Sequence, residues 1–461
     1  MQEIGRVYGE VIQNKFTFSS KNFYGKKFVK IKMNQGEYKT IGKIVEKRSI
    51  NKFLSNPDIV KYINDDMNYS RDTIYSYSVV VIGTIHGEIL IDENLSALPG
   101  LPVYEASADE IKIVYGISQS GIRVGYMRET PECSVHLNID KIFQPHLMIL
   151  GKTGSGKSYF TKGLINQFTD VKYYIFSPSD EYNKEVKDKK TKILSDIILP
   201  LNTDNLSYYL NLNVSEELVL QKIVFDDEKV YSVHEIITSI IMYYKMNTTK
   251  KSSQLTLDLG IESAQDFQIP QYAQSLIQKF KNLKKIKFTK SNKGITSVTS
   301  SIIFDMTEYT QLEQECILNY YLYKILKSCK ATQVSNRKKN FIFIEEAHNF
   351  VPSIKNTLCK EIIVRLAREG RKYGVSLCFI TQRPRNFDQT ALSQSSNKIV
   401  FSIPHPDDIR HIMDDATYYH SEIGSIIQNQ RQGQCIIIGD AFRSEVEMKV
   451  SFDEVIGNAI E

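Results

Sequence analysis

Residues 146–168 read HLMILGKTGSGKSYFTKGLINQF: an apolar run, a glycine-rich turn and a segment with helical spacing. Strand, loop and helix in that order form the context a phosphate-binding loop requires. Gly151, Gly154 and Gly156 let backbone N–H groups turn inward on an anion, and the first helical turn adds unsatisfied donors and the positive end of its dipole. Lys157 is placed to reach β- and γ-phosphates, and the hydroxyl of Ser158 to ligate magnesium. Lys152, Thr153, Ser155 and Tyr159 complete the stretch expected to line the nucleotide. The expected ligands are ATP and Mg2+.

Outward from this loop, apolar runs alternate with helical periodicity, the pattern of a parallel α/β sheet. Strands are expected at 146–150, 172–176, 301–305, 340–344, 375–381, 398–403 and 434–438. A magnesium–nucleotide site needs a carboxylate at the end of a neighbouring strand, and hydrolysis needs a second one for water. Phe341-Ile-Phe-Ile344 followed by Glu345 and Glu346 supplies both, with Glu345 expected to hold magnesium and Glu346 to polarise the attacking water. Asp305 also ends an apolar strand, but it lacks an adjacent acid and reads as a strand-end or capping residue. Gln382, at the end of the 375–381 strand, is a candidate sensor of the γ-phosphate or the water; its alternative is a turn residue before Arg383-Pro384. The segment Ala367-Arg-Glu-Gly-Arg371-Lys-Tyr-Gly374 closes a helix with a basic cluster. Such clusters ordinarily balance the helix dipole. In a ring of subunits, one guanidinium could enter a neighbour's site.

Before residue 135 the pattern is different: short alternating runs such as GRVYGEVI (5–12), KFVKIKM (27–33), 77–90, EIKIVY (110–115) and 121–127, broken by Gly, Pro and Asn. This spacing predicts a small β-barrel or sandwich, with a helical excursion at 51–70 and a turn at Pro99-Gly-Leu-Pro102. Between 185 and 295 the pattern turns mainly helical, with a polar loop expected at 248–255. The expected layout is therefore a β-barrel over 1–135 and an α/β domain over 136–461 carrying a helical insertion at about 185–295.

Composition sets outer bounds. With 461 residues, 42% hydrophobic and 24% charged, the chain can bury two or three cores. No apolar run approaches the roughly 18 residues of a membrane helix, and the N-terminus does not read as a signal peptide, so a cytoplasmic protein is expected. The six cysteines are scattered without a C-x-x-C pair and read as buried thiols. A net charge of +5 is compatible with a polyanionic partner without identifying one.

With these residues in place, the chain resembles the HerA family of the FtsK–HerA branch of P-loop motors. The likeness rests on GRVYGEVI, LPGLPVYEA, HLMILGKTGSGKS, FIFIEEAHNFVP, LAREGRKYGVSLCFITQRP, FSIPHPDDI and GQCIIIGDAF, which span most of the length. It implies a RecA-like core behind a barrel, and a homo-hexamer that hydrolyses ATP to move double-stranded DNA. It also implies an effector docked on the barrel side, either a nuclease of the NurA type in DNA-end processing or a nuclease or sirtuin-like NADase in antiviral defence. A composition poor in Gly and Pro and rich in Lys, Asn, Ile and Tyr inclines the reading towards bacterial defence. By position, Lys157 and Ser158 match the family's P-loop, Glu345 and Glu346 its second motif, Gln382 its sensor and Arg371 its trans-acting arginine, with Arg368 the alternative. The chain departs in two places: Glu345 stands where many P-loop enzymes carry Asp, and IFSPSDEY (175–182) has Ser-Pro-Ser where an acid is common, so the charge expected there is either missing or displaced to Asp180.

Lys279, Lys281, Lys284, Lys285, Lys287, Lys290 and Lys293 form a run without an acid. It reads either as a phosphate-tracking stripe or as a solvated face. Two other classes remain: a ring scaffold switched by ATP that activates an effector with little translocation, and a secretion or conjugation ATPase, which the lack of a membrane segment disfavours.

Overall fold

Along β2 (Lys15–Ser20), Phe16, Phe18 and Ser20 are buried while their neighbours face outward, the period-two pattern of a strand with one face on a core. In this computed structural model, residues 2–12, 14–33, 37–51, 73–91, 96–117, 121–143, 146–169, 171–183, 191–202, 206, 209–259, 269–291, 296–333, 338–413, 421–439 and 448–451 are described. By its contacts the chain divides into two units. One comprises Met1–Ile142, Gly154–Gly156 and Asn397–Ala459, and the other Phe143–Thr153, Lys157–Ser396 and Ile460–Glu461.

In the first unit, β2 pairs with β1 (Glu3–Ile12), and β7 (Pro102–Glu105), β3 (Phe28–Met33), β4 (Tyr38–Asn51) and β5 (Thr73–His86) follow. β5 pairs back onto β2, which closes a six-stranded barrel and leaves β6 (Ile89–Ile91) as an appendage on β5. Closure removes the unpaired edges an open sheet would present. Phe16, Phe18, Ile31, Tyr77, Val79 and Val103 fill the interior, with the Phe18 and Tyr77 rings stacked at 4.7 Å. The long β4–β5 pair bends at register shifts near Gly42, where a side chain would sit 2.3 Å from Val79 Cγ1, so only glycine fits.

The expected strand at 110–115 is instead helix α1 (Ala108–Tyr115). Ser107 and Glu110 form a reciprocal capping box and Gly116 ends the helix in the left-handed conformation, so local capping overrides an alternating pattern. The expected strand at 121–127 exists as β8 (Ile122–Met127), but it lies outside the barrel. It belongs to an antiparallel series β19 (Asn397–Val400), β20 (Gln434–Ile438), β21 (Met448–Ser451), β8 and β9 (Thr130–Leu137). The expected helix at 51–70 falls outside the described residues, apart from Asn51, which ends β4.

The second unit is built on six parallel strands in the order β12 (Lys192–Leu194), β16 (Ile302–Asp305), β11 (Lys172–Ser177), β17 (Asn340–Ile344), β18 (Val375–Thr381) and β10 (Leu147–Leu150). Phe341 to Ile344 and Leu377 to Phe379 are completely buried, as strands covered on both faces must be. The insertion holds α3 (Val214–Lys222), α4 (Val233–Leu259) and α5 (Gln271–Lys281), together with an unforeseen three-stranded sheet of β13 (Ile198–Pro200), β15 (Lys287–Thr289) and β14 (Val230–Tyr231). Residues 248–255, read as a loop, continue α4. The fold is α/β: a RecA-like P-loop core with an N-terminal β-barrel and a largely helical insertion.

Candidate nucleotide site

β18 lies between the P-loop strand β10 and the glutamate strand β17, so three chain segments bring their carboxyl ends to one edge of the sheet. Ligands of open α/β sheets bind at such edges. From β10 the chain enters the loop, and α2 (Lys157–Asn166) begins directly after it. Gly154 and Gly156 take φ of 74° and 111°, values at which a Cβ is strained, so the backbone path itself demands glycine. Lys157 folds across the loop and its Nζ donates to Gly151 O at 2.7 Å and Lys152 O at 3.0 Å. Burial lowers the pKa of this amine, while Glu346, Glu345 and Glu181 oppose the shift. Ser158 is half-buried at the helix start, and Tyr159 is 39% exposed.

Glu345 directly follows β17 and is buried. Tyr182 OH donates to its Oε1 at 2.6 Å, and the hydroxyls of Ser177 and Ser179 donate to Oε2 at 2.9 and 3.4 Å. Burial raises its pKa, Glu181 and Glu346 add to the rise, and the hydroxyl donors resist it. The Ser-Pro-Ser segment that departs from the family pattern thus turns its hydroxyls onto this carboxylate, whereas Asp180 is exposed. Tyr182, Ser177 and Ser179 carry no motif signal as ligands of Glu345. Their hydrogen bonds arise because β11 is the parallel neighbour of β17.

Glu346 has a left-handed backbone, φ 45° and ψ 43°, which is unusual for a non-glycine residue and turns the chain sharply out of the strand. Burial raises its pKa against the attraction of Lys157 and Arg383 and a hydrogen bond from Gln382. Among the described residues no hydrogen bond reaches Glu346 Oε2, although the atom is buried. Gln382 also accepts a 2.6 Å hydrogen bond from Thr153 Oγ1, which links the loop to the end of β18. Lys157, Glu346, Gln382 and Thr153 therefore form one cluster.

Arg371 and Arg368 do not join it. Both are exposed, Arg371 Nη2 donating to Gln394 Oε1 at 3.2 Å, and among the described residues neither bonds to Lys157, Glu345 or Glu346. Just upstream, buried His146 accepts from Leu377 N–H through Nδ1 at 3.0 Å, so its Nε2–H donates to Ala367 O at 2.8 Å. That ring ties the P-loop strand to the end of the arginine-bearing helix α6 (Lys360–Glu369), and burial holds its pKa down at about 4. Asp305 accepts from Thr307 N–H and Oγ1 and from Asn183 Nδ2.

The lysine run is largely committed to acids. Lys279 pairs with Glu216, Lys285 with Glu308, Lys287 with Asp196 at 2.8 Å and Lys290 with Asp227 at 3.3 Å. Lys293 lies outside the described residues. All six cysteines are free and buried, and no helix among the described residues is long and apolar enough to cross a membrane.

The residues at the loop fit a magnesium nucleotide. An amine resting on two carbonyls can exchange them for phosphate oxygens, and a buried carboxylate oxygen without a donor is suited to a polarised water. Magnesium at such loops keeps waters and phosphate oxygens rather than an all-protein cage.

Residues 122–325 match the family described as "Helicase HerA, central domain". The DNA double-strand break repair helicase HerA of Saccharolobus solfataricus is 28% identical over 435 residues, 85% of this chain and 83% of the relative. A probable helicase of Methanocaldococcus jannaschii is 26% identical, covering 76% of this chain and 71% of the relative. Among solved structures, VirB4 of Thermoanaerobacter pseudethanolicus superimposes with a TM-score of 0.48 at 15% identity, covering 73% of this chain and 97% of that one. The bacterial conjugative coupling protein TrwB does so with a TM-score of 0.47 at 11% identity, covering 76% and 92%. The family match on the P-loop region and the relatives extending along most of the chain support a HerA-family P-loop ATPase.

Proposed function

We propose that the chain is an ATP-driven DNA translocase or helicase of the HerA type. The observation that carries the hydrolytic part is the partly buried Glu346 carboxylate, held by Gln382 and facing Lys157, whose buried Oε2 has no donor among the described residues. Loop amides from Gly151 to Gly156, with Lys157, hold the phosphates. Ser158 and Glu345 would hold magnesium, Glu345 through a water or the Ser158 shell, and the ion would supply charge neutralisation on the phosphate oxygens. Glu346 orients the attacking water and accepts its proton, while Gln382 senses the γ-phosphate through the end of β18. Arg371, or Arg368 in its place, completes a neighbour's site in a homo-hexamer, which accords with their exposure and their separation from the cluster of their own chain.

Double-stranded DNA as the track is supported by the names of the relatives. It draws little from the lysine run, four of whose members are already paired. We assign residues 1–135 to an N-terminal region whose strands up to Glu105 build the barrel and 136–461 to the motor, in a cytoplasmic protein whose effector docks on the barrel side. Two settings compete. Relatives described as double-strand break repair helicases favour a resection motor with a NurA-type nuclease. Antiviral defence with a nuclease or sirtuin-like NADase draws on composition alone. Measuring ATP hydrolysis with and without duplex DNA, for the unaltered chain and Glu346→Gln, tests the motor. DNA-stimulated turnover that vanishes in the variant supports it, and DNA-indifferent turnover favours an ATP-switched scaffold.

A further inference from the structure

The three residues after Glu346 form a short 3-10 turn, Ala347–Asn349, which folds His348 back beneath the carboxylate. His348 is 9% exposed. Its Nδ1 lies 2.9 Å from Thr381 Oγ1 and 3.3 Å from Glu346 Oε2, the oxygen that no hydrogen bond reaches among the described residues. Thr381 is the last residue of β18, completely buried, and its Oγ1 also accepts from Arg383 N–H at 3.1 Å. Gln382, which holds the same carboxylate, comes next in the chain.

The tautomer follows from this geometry. If Nδ1 carried a lone pair, that pair would face a carboxylate oxygen at 3.3 Å, an uncompensated repulsion in a buried place. With the proton on Nδ1, the N–H points to Thr381 and presents its positive end beside Glu346. A small rotation of the carboxylate then completes a charge-assisted hydrogen bond. Burial and the nearby Arg383 push the pKa of the ring down to about 4, so it works as a neutral donor rather than as a cation.

We propose that His348 is a positioning residue: fixed by Thr381, it holds Oε2 of Glu346 from below while Gln382 holds the carboxylate from the side, so that the orientation of the glutamate is set by the end of β18. The proposal rests on the reading of Glu346 as the group that orients water. A carboxylate must present a defined lone pair to the water, and one pinned at a single point can still rotate. The left-handed backbone at Glu346 supports this, because it is the bend that brings Glu346 and His348 against the same strand end.

The test is steady-state ATP hydrolysis with magnesium and duplex DNA, together with binding of a fluorescent ATP analogue and thermal melting, on the full chain. His348→Ala is expected to lower kcat about tenfold, the worth of one hydrogen bond to a charged group, with KM and analogue affinity within about twofold. His348→Asn, which keeps an N–H near Nδ1, recovers most of the loss. Thr381→Val repeats the loss and Thr381→Ser restores it. His348→Ala combined with Thr381→Val is no worse than the poorer single variant, because the two act through one contact. An unchanged kcat in His348→Ala and Thr381→Val overturns the proposal, as do conservative variants no better than the disruptive ones, or losses that multiply. If His348→Ala fails to fold, the Thr381 pair decides. Glu346→Gln separates the two levels. Turnover surviving there removes the role of Glu346 itself, whereas a dead Glu346→Gln beside a normal His348→Ala removes only the positioning.

Discussion

Two buried carboxylates in this chain are treated in opposite ways. In the barrel, Glu110 receives Lys30 Nζ at 2.7 and 2.9 Å, Lys39 Nζ at 3.0 Å and Ser107 N–H at 2.8 Å. Burial works against its ionisation, yet these donors outweigh it and hold the pKa at about 2, down from the ordinary 4.5. At the nucleotide edge, Glu345 is as deeply buried but among the described residues is met only by three hydroxyls, and its pKa is raised. A structural charge is compensated within the chain. In the role proposed for Glu345, neutral donors hold the carboxylate in place and leave its compensation to a bound cation, which keeps the site costly when empty.

Glu346→Gln should have the largest effect on function. It removes the charge but keeps the shape, and hydrolysis should fall by about 10²–10⁴-fold while nucleotide binding persists. Retained turnover would place Glu346 with Glu110 among the structural acids. Next in size is Lys30→Ala, which strands Glu110 in the barrel. Denaturant melts should show a loss of about 3–5 kcal/mol, the usual consequence of breaking a buried pair.

Acid should act on the same pair. The folded pKa of Glu110 lies below its unfolded value, so its contribution to stability is complete above about pH 4.5 and fades towards pH 2. Melts of the unaltered chain should decline through that window more steeply than those of Glu110→Gln. Parallel curves would mean that the lysines do not stabilise the ionised form.

Glu345→Gln should do the reverse of Lys30→Ala. Removing an uncompensated buried charge leaves stability within about 1 kcal/mol of the parent, or improves it, while magnesium-dependent hydrolysis drops. A large destabilisation would show that the hydroxyls suffice as compensation. The smallest signal is expected from mixing Arg371→Ala with Lys157→Ala chains. Some interfaces then join an intact loop to an intact arginine, and partial hydrolysis should return. No recovery from chains that demonstrably exchange would confine the missing cation to magnesium.

Sequence alone determined the nucleotide loop, the strand that delivers Glu345 and Glu346, and Gln382 at the next strand end. These depend on local order: glycines for the backbone path, continuous apolar runs for strands buried on both faces, acids directly after them. The capping box of Ser107 and Glu110 was also readable in S-x-x-E, though the alternation in EIKIVY suggested a strand. Only the tertiary structure decided that β8 leaves the barrel, that the Ser-Pro-Ser segment serves Glu345, that His348 meets Thr381, and that four lysines of a conspicuous run are already paired. Each of these is a contact across sheet order or between distant segments. A side chain's partner there is set by which strands become neighbours, and no local pattern encodes that.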